Sequence, residues 1–557
     1  MNTGSTGGLL ATPHGASRGS QGMRLFSRRG LTCLGALLLV SLFYTLHQQD
    51  PNASNRFHSS NVIPAFNLKP SELAGRRYQV IEAFDHAWRG YSTYCMGHDS
   101  IHPVTNTCDD DFGGLGATAI DALSSAIMFE RSEVVTEILE FIAKVDFTKV
   151  TGGTSLQLFE VVIRHFGAML SANDLLDGPF RHLEIDPHLR ETLLNQTIRL
   201  GDVLSCGFST PTGIPRNWVD PALCTTDSGT SNTLAGIGTL VLEFGRLSDI
   251  TGHRVYVEKA RKAEQYLINP TSAEQMPFPG IYGSFVSVMN GQLMDSKGSW
   301  GSLADSFYEY LVKMYIYDRD VYSTYLDRWR VAADSTIRFI ASHAYGHPEW
   351  TLLPYWEGQR RFNAMDSLSW FAGGNFVLGG MVTGNQTFVD FGLSIADTAG
   401  AMYKMTKTGL GGEFVVWTED CLGNWGDGTC TANNSVRLSD SSFKLRPEVL
   451  ETWYYAYRAT GDPKYREWAW SAFEAISKVC KTSTGFSAIS DVNAPDGGKK
   501  LDMQESFVFA EVLKYVYLLH LEDDGNALHV QDSRYGAKNQ WVYNTEAHPF
   551  RVVGRLV

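Results

Sequence analysis

From about Ser71 onward, apolar residues recur at three- and four-residue intervals in about fourteen successive segments, the spacing that lines one face of a helix. The predicted helices cover roughly 71–93, 117–128, 132–143, 155–172, 188–204, 228–250 and 253–267. The series continues over roughly 302–317, 320–345, 366–378, 384–407, 445–461, 463–481 and 502–521. Phe414 to Thr418 and Trp541 to Asn544 are candidate short strands. The helices differ in kind. Segments 155–172 and 502–521 are apolar almost all round, as buried helices are, whereas 253–267 and 320–345 carry charges on one face, as outer helices do. Alternating buried and half-exposed helices predict an inner and an outer ring. The fold class is therefore all-α, an α/α barrel of about seven helix pairs with a few short β-strands. No fixed-length repeat favours a solenoid.

The N-terminus follows another pattern. Met1 to Gly22 is rich in Gly, Ser and Thr, the composition of a disordered tail. Arg24, Arg28 and Arg29 then precede the apolar run Leu31 to Leu46, which is short of the roughly 20 residues that span a bilayer. The arginines favour a cytosolic N-terminal end. No clear small-x-small cleavage site follows Leu46, which favours an uncleaved type II signal anchor over a cleaved signal peptide. The expected organisation is a cytosolic tail (1–30), a transmembrane signal anchor (31–46), a polar lumenal stem (47–70) and a barrel domain (71–557). With either processing, the barrel domain faces the lumen or the outside of the cell.

Two further features agree with that compartment. Asn52, Asn195, Asn385 and Asn433 each begin an Asn-x-Ser/Thr pattern. Of the eight cysteines, Cys95 and Cys108, Cys206 and Cys224, and Cys421 and Cys430 flank separate polar loops, where short bridges would form in an oxidising lumen. Cys33 lies in the apolar run, and Cys480 is left over as a buried thiol. A net charge of -13 and the lack of a Lys/Arg-rich run in the body of the chain argue against a nucleic-acid partner.

Candidate chemistry comes from acids set in apolar helices, where desolvation makes an unpaired carboxylate costly. Glu160 has Arg164 one turn later, Asp305 begins a helix, Glu448 and Glu451 share a face after Pro447, and Glu511 follows Phe507 by one turn. Each alone has an ordinary explanation: an ion pair, an N-cap, compensation of the helix dipole, a packed core pair. Together they fall on the fourth, eighth, twelfth and fourteenth helices. All are even-numbered and would share one ring, so their side chains could converge on a central cavity. A cluster of like charges needs a cation or shared protons, which points to acid–base chemistry with a metal.

At these residues the chain resembles glycoside hydrolase family 47, the class I α-1,2-mannosidases. The resemblance runs from about Tyr78 to Phe550 and rests on Ala83-Phe-Asp-His-Ala-Trp88-Arg-Gly-Tyr91, Gly97-His-Asp99-Ser-Ile-His-Pro103 and Phe159-Glu160-Val-Val-Ile-Arg164. It continues in Asp305-Ser-Phe-Tyr-Glu-Tyr-Leu, Leu445-Arg-Pro-Glu448, Ser506-Phe-Val-Phe-Ala-Glu511 and Asn544-Thr545-Glu546-Ala-His-Pro549. Phe371-Ala-Gly-Gly-Asn375 and Leu247-Ser-Asp-Ile-Thr-Gly252 are similar to the fungal secretory members.

The resemblance implies an (αα)7 barrel and inverting removal of α-1,2-linked mannose from oligomannose N-glycans on glycoproteins. By carry-over, Glu160 is the favoured general acid and Glu448 the base that activates water. Asp305 is the third essential carboxylate, and Glu160 and Asp305 could exchange the acid role. Arg164 and Arg446 would orient carboxylates or sugar hydroxyls, and Phe507 would pack under the mannose. Asp99 and Ser367 are further substrate-binding candidates. Ca²⁺ is the implied cofactor, held by the hydroxyl and carbonyl of Thr545, with Glu451, Glu511 and Glu546 holding its waters. A monomer in the Golgi or endoplasmic reticulum membrane is expected, or a secreted form if the signal is cleaved.

The chain also departs from the family pattern. Ser367 stands where many relatives have His, Ser100 where they tend to have Glu, and Ser124 where an Asp is common. Trp370 and Ala399 occupy the positions of a common disulfide, and Leu303 resembles the Golgi and secreted branch, where the ER type tends to have Arg. Ser367 and Ser100 keep open a second reading, a mannose-binding quality-control lectin with little hydrolysis. A third, a barrel hydrolase of another sugar, does not account for the Thr545 segment.

Overall fold

The computed structural model describes residues 68–270, 275–422, 429–522, 528–529 and 538–556. Seven inner segments close into a ring. Leu123–Met128 packs on Gly167–Asp177, whose helix begins at Leu158–Val161, and that first turn meets Leu234–Gly238. The ring proceeds through Asp305–Tyr317, Phe371–Thr383, Glu448–Thr460 and Leu513–Leu519, and the π turn Val508–Val512 returns to Leu123–Met128. Each inner segment is backed by an outer helix: Pro70–Tyr94, Ser132–Ile142, Pro187–Leu204, Val255–Ile268, Ser323–Ser335, Gln386–Met405 and Pro463–Val479. The fold is the (αα)7 barrel, and the even-numbered predicted helices are its inner ring.

Local sequence explains how the rings are built. Three of the outer helices begin at side-chain caps: Asp186 accepts the His188 N–H, Asn385 that of Thr387 and Asp462 that of Lys464. Pro187 and Pro463 follow two of these caps in the first turn, where a missing N–H costs nothing. The inner helix Phe371–Thr383 approaches its neighbours through glycines, and a Cβ on Gly379 would run into the Trp329 indole.

Several boundaries differ from expectation. The predicted helix 228–250 is broken into strand Ser231–Thr233, a turn of helix Leu234–Gly238 and helix Val241–Thr251. Two inner helices that read as continuous contain π turns, Val162–Phe166 and Val508–Val512. Both candidate strands form. Phe414–Trp417 lies between Ala364–Asp366 and Val436–Asp440, and Trp541–Tyr543 pairs with Pro549–Arg551. Other strands of two to six residues tie the inter-helix loops; so short a run carries too little alternation to be read.

The three local disulfides are present, Cys95–Cys108, Cys206–Cys224 and Cys421–Cys430, and Cys480 is a buried thiol. Among the sequons, Asn195 and Asn433 are exposed and Asn385 is half-buried. The tail, the anchor 31–46, Cys33, Asn52 and nearly all of the stem lie outside the described residues. No described helix is long and apolar enough to cross a membrane.

Candidate active site

The inner ring surrounds a cavity of about 450 Å³, within the range of sites that hold small molecules. Glu160, Arg164, Asp305, Arg446, Glu448, Glu451, Phe507, Glu511, Thr545 and Glu546 all line it. Asp99 and Ser367 do not. Asp99 is fully buried, and its two carboxylate oxygens accept the backbone N–H groups of Phe112, Gly114, Leu115 and Ala117 at 2.7–3.0 Å. It organises a loop and has no capacity left for a sugar. Ser367 acts at one remove: its hydroxyl donates to Glu413 at 3.2 Å, and Glu413 accepts from Arg446 Nε at 3.1 Å.

Glu160 lies just before the first π turn. Arg164 Nε donates to its Oε2 at 3.1 Å, while Arg164 Nη1 reaches Glu546 at 2.9 Å and Ser506 Oγ at 3.1 Å. The extra residue of the π turn re-aims the side chains on one helix face, a device common at functional sites. Asp305 is the first residue of its helix, not the predicted cap, which is Ala304. One Asp305 oxygen accepts the Ser306 N–H at 2.9 Å. Burial, reinforced by Asp366, Glu309 and Glu448, holds Asp305 well above the usual carboxyl range.

Glu448 opens the inner helix Glu448–Thr460, and its Oε2 has no hydrogen-bond partner. Burial lifts it to about 7, with Arg446 opposing. One turn on, burial and Glu309 push Glu451 to about 8. Burial, then Glu546, raises Glu511 well above its usual value, and burial lifts Glu546 to about 8 against Arg164. Phe507 lies between the guanidinium groups of Arg164 and Arg446, at 5.9 and 5.8 Å from its ring centre, near enough for both cations to be drawn to the ring face.

Three of the nine described non-glycine residues with positive φ lie close to the site. Leu303, Leu445 and Ala547 adopt left-handed φ values of 77°, 63° and 54°. Non-glycine residues hold that conformation only when their surroundings enforce it. Each lies within three residues of Asp305, Glu448 or Thr545.

Sequence reasoning missed several members of the same cluster. Glu309 lines the cavity, and Lys313 pairs with Glu309 and approaches Glu451 at 3.7 Å. Behind them are Asp121 and Glu243, both fully buried. Their signal is the one that found the others, a charge inside an apolar helix, as in Val241-Leu242-Glu243-Phe244.

Among the described residues, no three His, Cys, Asp or Glu side chains are placed to ligate one ion directly. The donors fit a cation in another way. Thr545 donates its N–H to Tyr310 at 3.3 Å, but no protein hydrogen bond engages its hydroxyl or carbonyl. These are two hard oxygens, the kind calcium takes, beside Glu451, Glu511 and Glu546. The Glu546 Oε2 is likewise buried without a partner.

A ring of paired helices around a cup, lined by protonatable carboxyls and an aromatic ring, is the arrangement of an α/α-barrel glycoside hydrolase. The family model for glycosyl hydrolase family 47 matches residues 83–552. A mannosyl-oligosaccharide α-1,2-mannosidase of Penicillium citrinum is 44% identical over 484 residues, covering 87% of this chain and 93% of that protein. One of Coccidioides posadasii is 44% identical over 524 residues, covering 94% and 98%. The solved α-1,2-mannosidase of Trichoderma reesei superposes with a TM-score of 0.82 at 39% identity, covering 86% of this chain and 99% of that one. The chain belongs to glycosyl hydrolase family 47.

Proposed function

We propose that this glycosidase removes α-1,2-linked mannose from oligomannose N-glycans, with inversion, in the secretory pathway. The observation that supports it most is the convergence of Glu160, Asp305 and Glu448, from three separate inner helices, on one cup with Thr545 beside them. Inversion needs a proton donor at the leaving oxygen and a base for water on the opposite sugar face. Glu448, with a free oxygen and no direct cation bridge, is the base. Of the two acid assignments left open by sequence, the environment favours Asp305 as the proton holder: burial and three neighbouring acids keep its proton on. Glu160 is tied to Arg164 and is better placed to orient a sugar hydroxyl or a relaying water.

Calcium is proposed as the cofactor, bound by the two Thr545 oxygens with waters held by Glu451, Glu511 and Glu546; when present it offsets carboxylate charge and positions water and sugar hydroxyls. The three disulfides favour an oxidising compartment. Attachment through the anchor 31–46 and a monomeric state complete the proposal.

Digestion of a Man9 oligosaccharide, with products identified by mass and branch, tests this reading. Release of free mannose from α-1,2 termini is expected. Tight glycan binding without release would establish the lectin instead.

A further inference from the structure

The segment Asn544–His548, which presents Thr545 to the cup, is held from behind by groups that take no part in the chemistry proposed above. Asn544 is the hub. Its Oδ1 accepts the N–H groups of Glu546 and His548 at 3.0 and 2.8 Å, and its Nδ2 donates to the Ile163 carbonyl and to Glu243. At the far end of the turn, Ala547 is fully buried in its left-handed conformation, and its carbonyl accepts from Lys514 Nζ at 2.7 Å.

Lys514 is one turn beyond Glu511 on the same inner helix and has no exposed surface. Its other partner is Ser124 Oγ at 2.8 Å. Ser124 Oγ is also 2.8 Å from His548 Nδ1, and His548 Nε2 is 2.8 Å from Asp121 Oδ1. One set of proton positions satisfies all of these contacts. Lys514 donates to Ser124, the Ser124 hydroxyl donates to His548 Nδ1, and His548 Nε2–H donates to Asp121. That tautomer requires a neutral imidazole, and burial lowers His548 to about 4. Because Ala547 and His548 are adjacent, Lys514, Ser124 and His548 form a closed loop of hydrogen bonds onto the turn. A lysine amine donates two hydrogens whether or not it is charged, so the loop does not depend on its protonation state.

We propose that Lys514, through Ser124 and His548, is a positioning residue for the cation site: it fixes the strained Ala547 peptide and so keeps both free oxygens of Thr545 aimed into the cup. The inference rests on the calcium reading given above. A group that orients a ligand-bearing segment without touching the ion typically contributes about 10- to 100-fold to metal affinity.

The test is direct calcium titration of the purified protein by calorimetry, with no substrate present. In Lys514→Met the calcium Kd is expected to rise at least about tenfold. In Ser124→Ala, which removes no charge and little volume, a rise of about three- to tenfold is expected. If both act through one loop, the double variant binds no more than about twofold more weakly than Lys514→Met. Calcium Kd values within about twofold of the parent in a folded Lys514→Met, or in Ser124→Ala should Lys514→Met not fold, overturn the proposal, as do fully additive effects. A merely structural lysine would lower the melting temperature and leave the Kd unchanged. A parent that does not bind calcium sinks the calcium reading itself, a separate outcome.

Discussion

The two walls of the cup carry similar numbers of acids and manage them differently. On one wall Arg164 sits among Glu160, Glu546 and Asp121, at 3.1, 2.9 and 3.8 Å. On the other, Asp305 has a single backbone N–H, Glu448 leaves one oxygen unpartnered, and Glu451 has Lys313 at 3.7 Å. A guanidinium fixes geometry and holds charge in place. Burial raises the other carboxyls until they keep their protons near neutrality, and it does so even for Glu546 beside Arg164. Glu160, tied to Arg164, is therefore suited to orientation, and Asp305 and Glu448, without a direct bridge, to proton traffic. The proposed calcium ion would add positive charge beside Glu451, Glu511 and Glu546.

The most damaging change is expected on the unpaired wall. Glu448→Gln preserves shape and removes the base, so kcat is expected to fall by about a thousandfold or more, while glycan affinity stays within a few-fold of the parent. Substantial turnover in this variant would take the base role away from Glu448.

On the paired wall the main loss is expected in stability. Arg164→Ala leaves Glu160, Glu546 and Asp121 facing one another without their shared cation, and breaking a buried pair in this way costs about 3–5 kcal/mol. Urea denaturation measures it. A cost below about 1 kcal/mol would place these acids with the weakly coupled surface pairs and would dissolve the contrast between the walls.

A third effect is read through pH. A carboxyl raised in the folded protein contributes stability that is fully present below its unfolded value and is lost as pH rises through the folded one. For Glu448, at about 7, and Glu451, at about 8, that window runs from the ordinary value of 4.5 up to those values. A calcium ion binding beside them must displace the protons they hold. Calcium affinity is therefore expected to tighten by at least about tenfold between about pH 5.5 and 7.5, and EDTA inactivation to reverse when calcium is restored. An affinity flat over this range would mean that these carboxyls are already ionised.

How much of this was legible depended on the kind of signal. Helical periodicity marked both rings, because a face buried over many turns repeats its apolar residues many times. The acids of the cup were visible because a charge in an apolar helix violates the pattern around it. Asp99 shows the limit: a carboxylate in a polar segment looks the same whether it binds a sugar or four backbone amides, and only the fold of residues 112–117 decides. The left-handed residues Leu303, Leu445 and Ala547 were likewise invisible, since nothing in a leucine or alanine announces positive φ. Lys313 and Lys514 were as conspicuous as the acids, but a lone lysine in an apolar helix reads first as an ion-pair partner and does not by itself point to a site.

The smallest effect is expected at Ser367. Ser367 is outside the cavity, and its hydroxyl contributes one hydrogen bond to Glu413, which keeps the Lys444 backbone N–H at 2.9 Å and Arg446 as partners. Ser367→Ala removes a donor from a carboxylate that is otherwise satisfied, so the Arg446 guanidinium keeps its place beside Phe507. Such a loss is worth about 1.5–3 kcal/mol at the Glu413 carboxylate and much less at the reacting sugar, so kcat/KM on a Man9 oligosaccharide is expected to stay within about threefold of the parent. A larger fall, especially one in kcat at unchanged KM, would mean that Arg446 must be held on the unpaired wall as tightly as Arg164 is on the paired one. The division of labour between the two walls would then fail at its most exposed point.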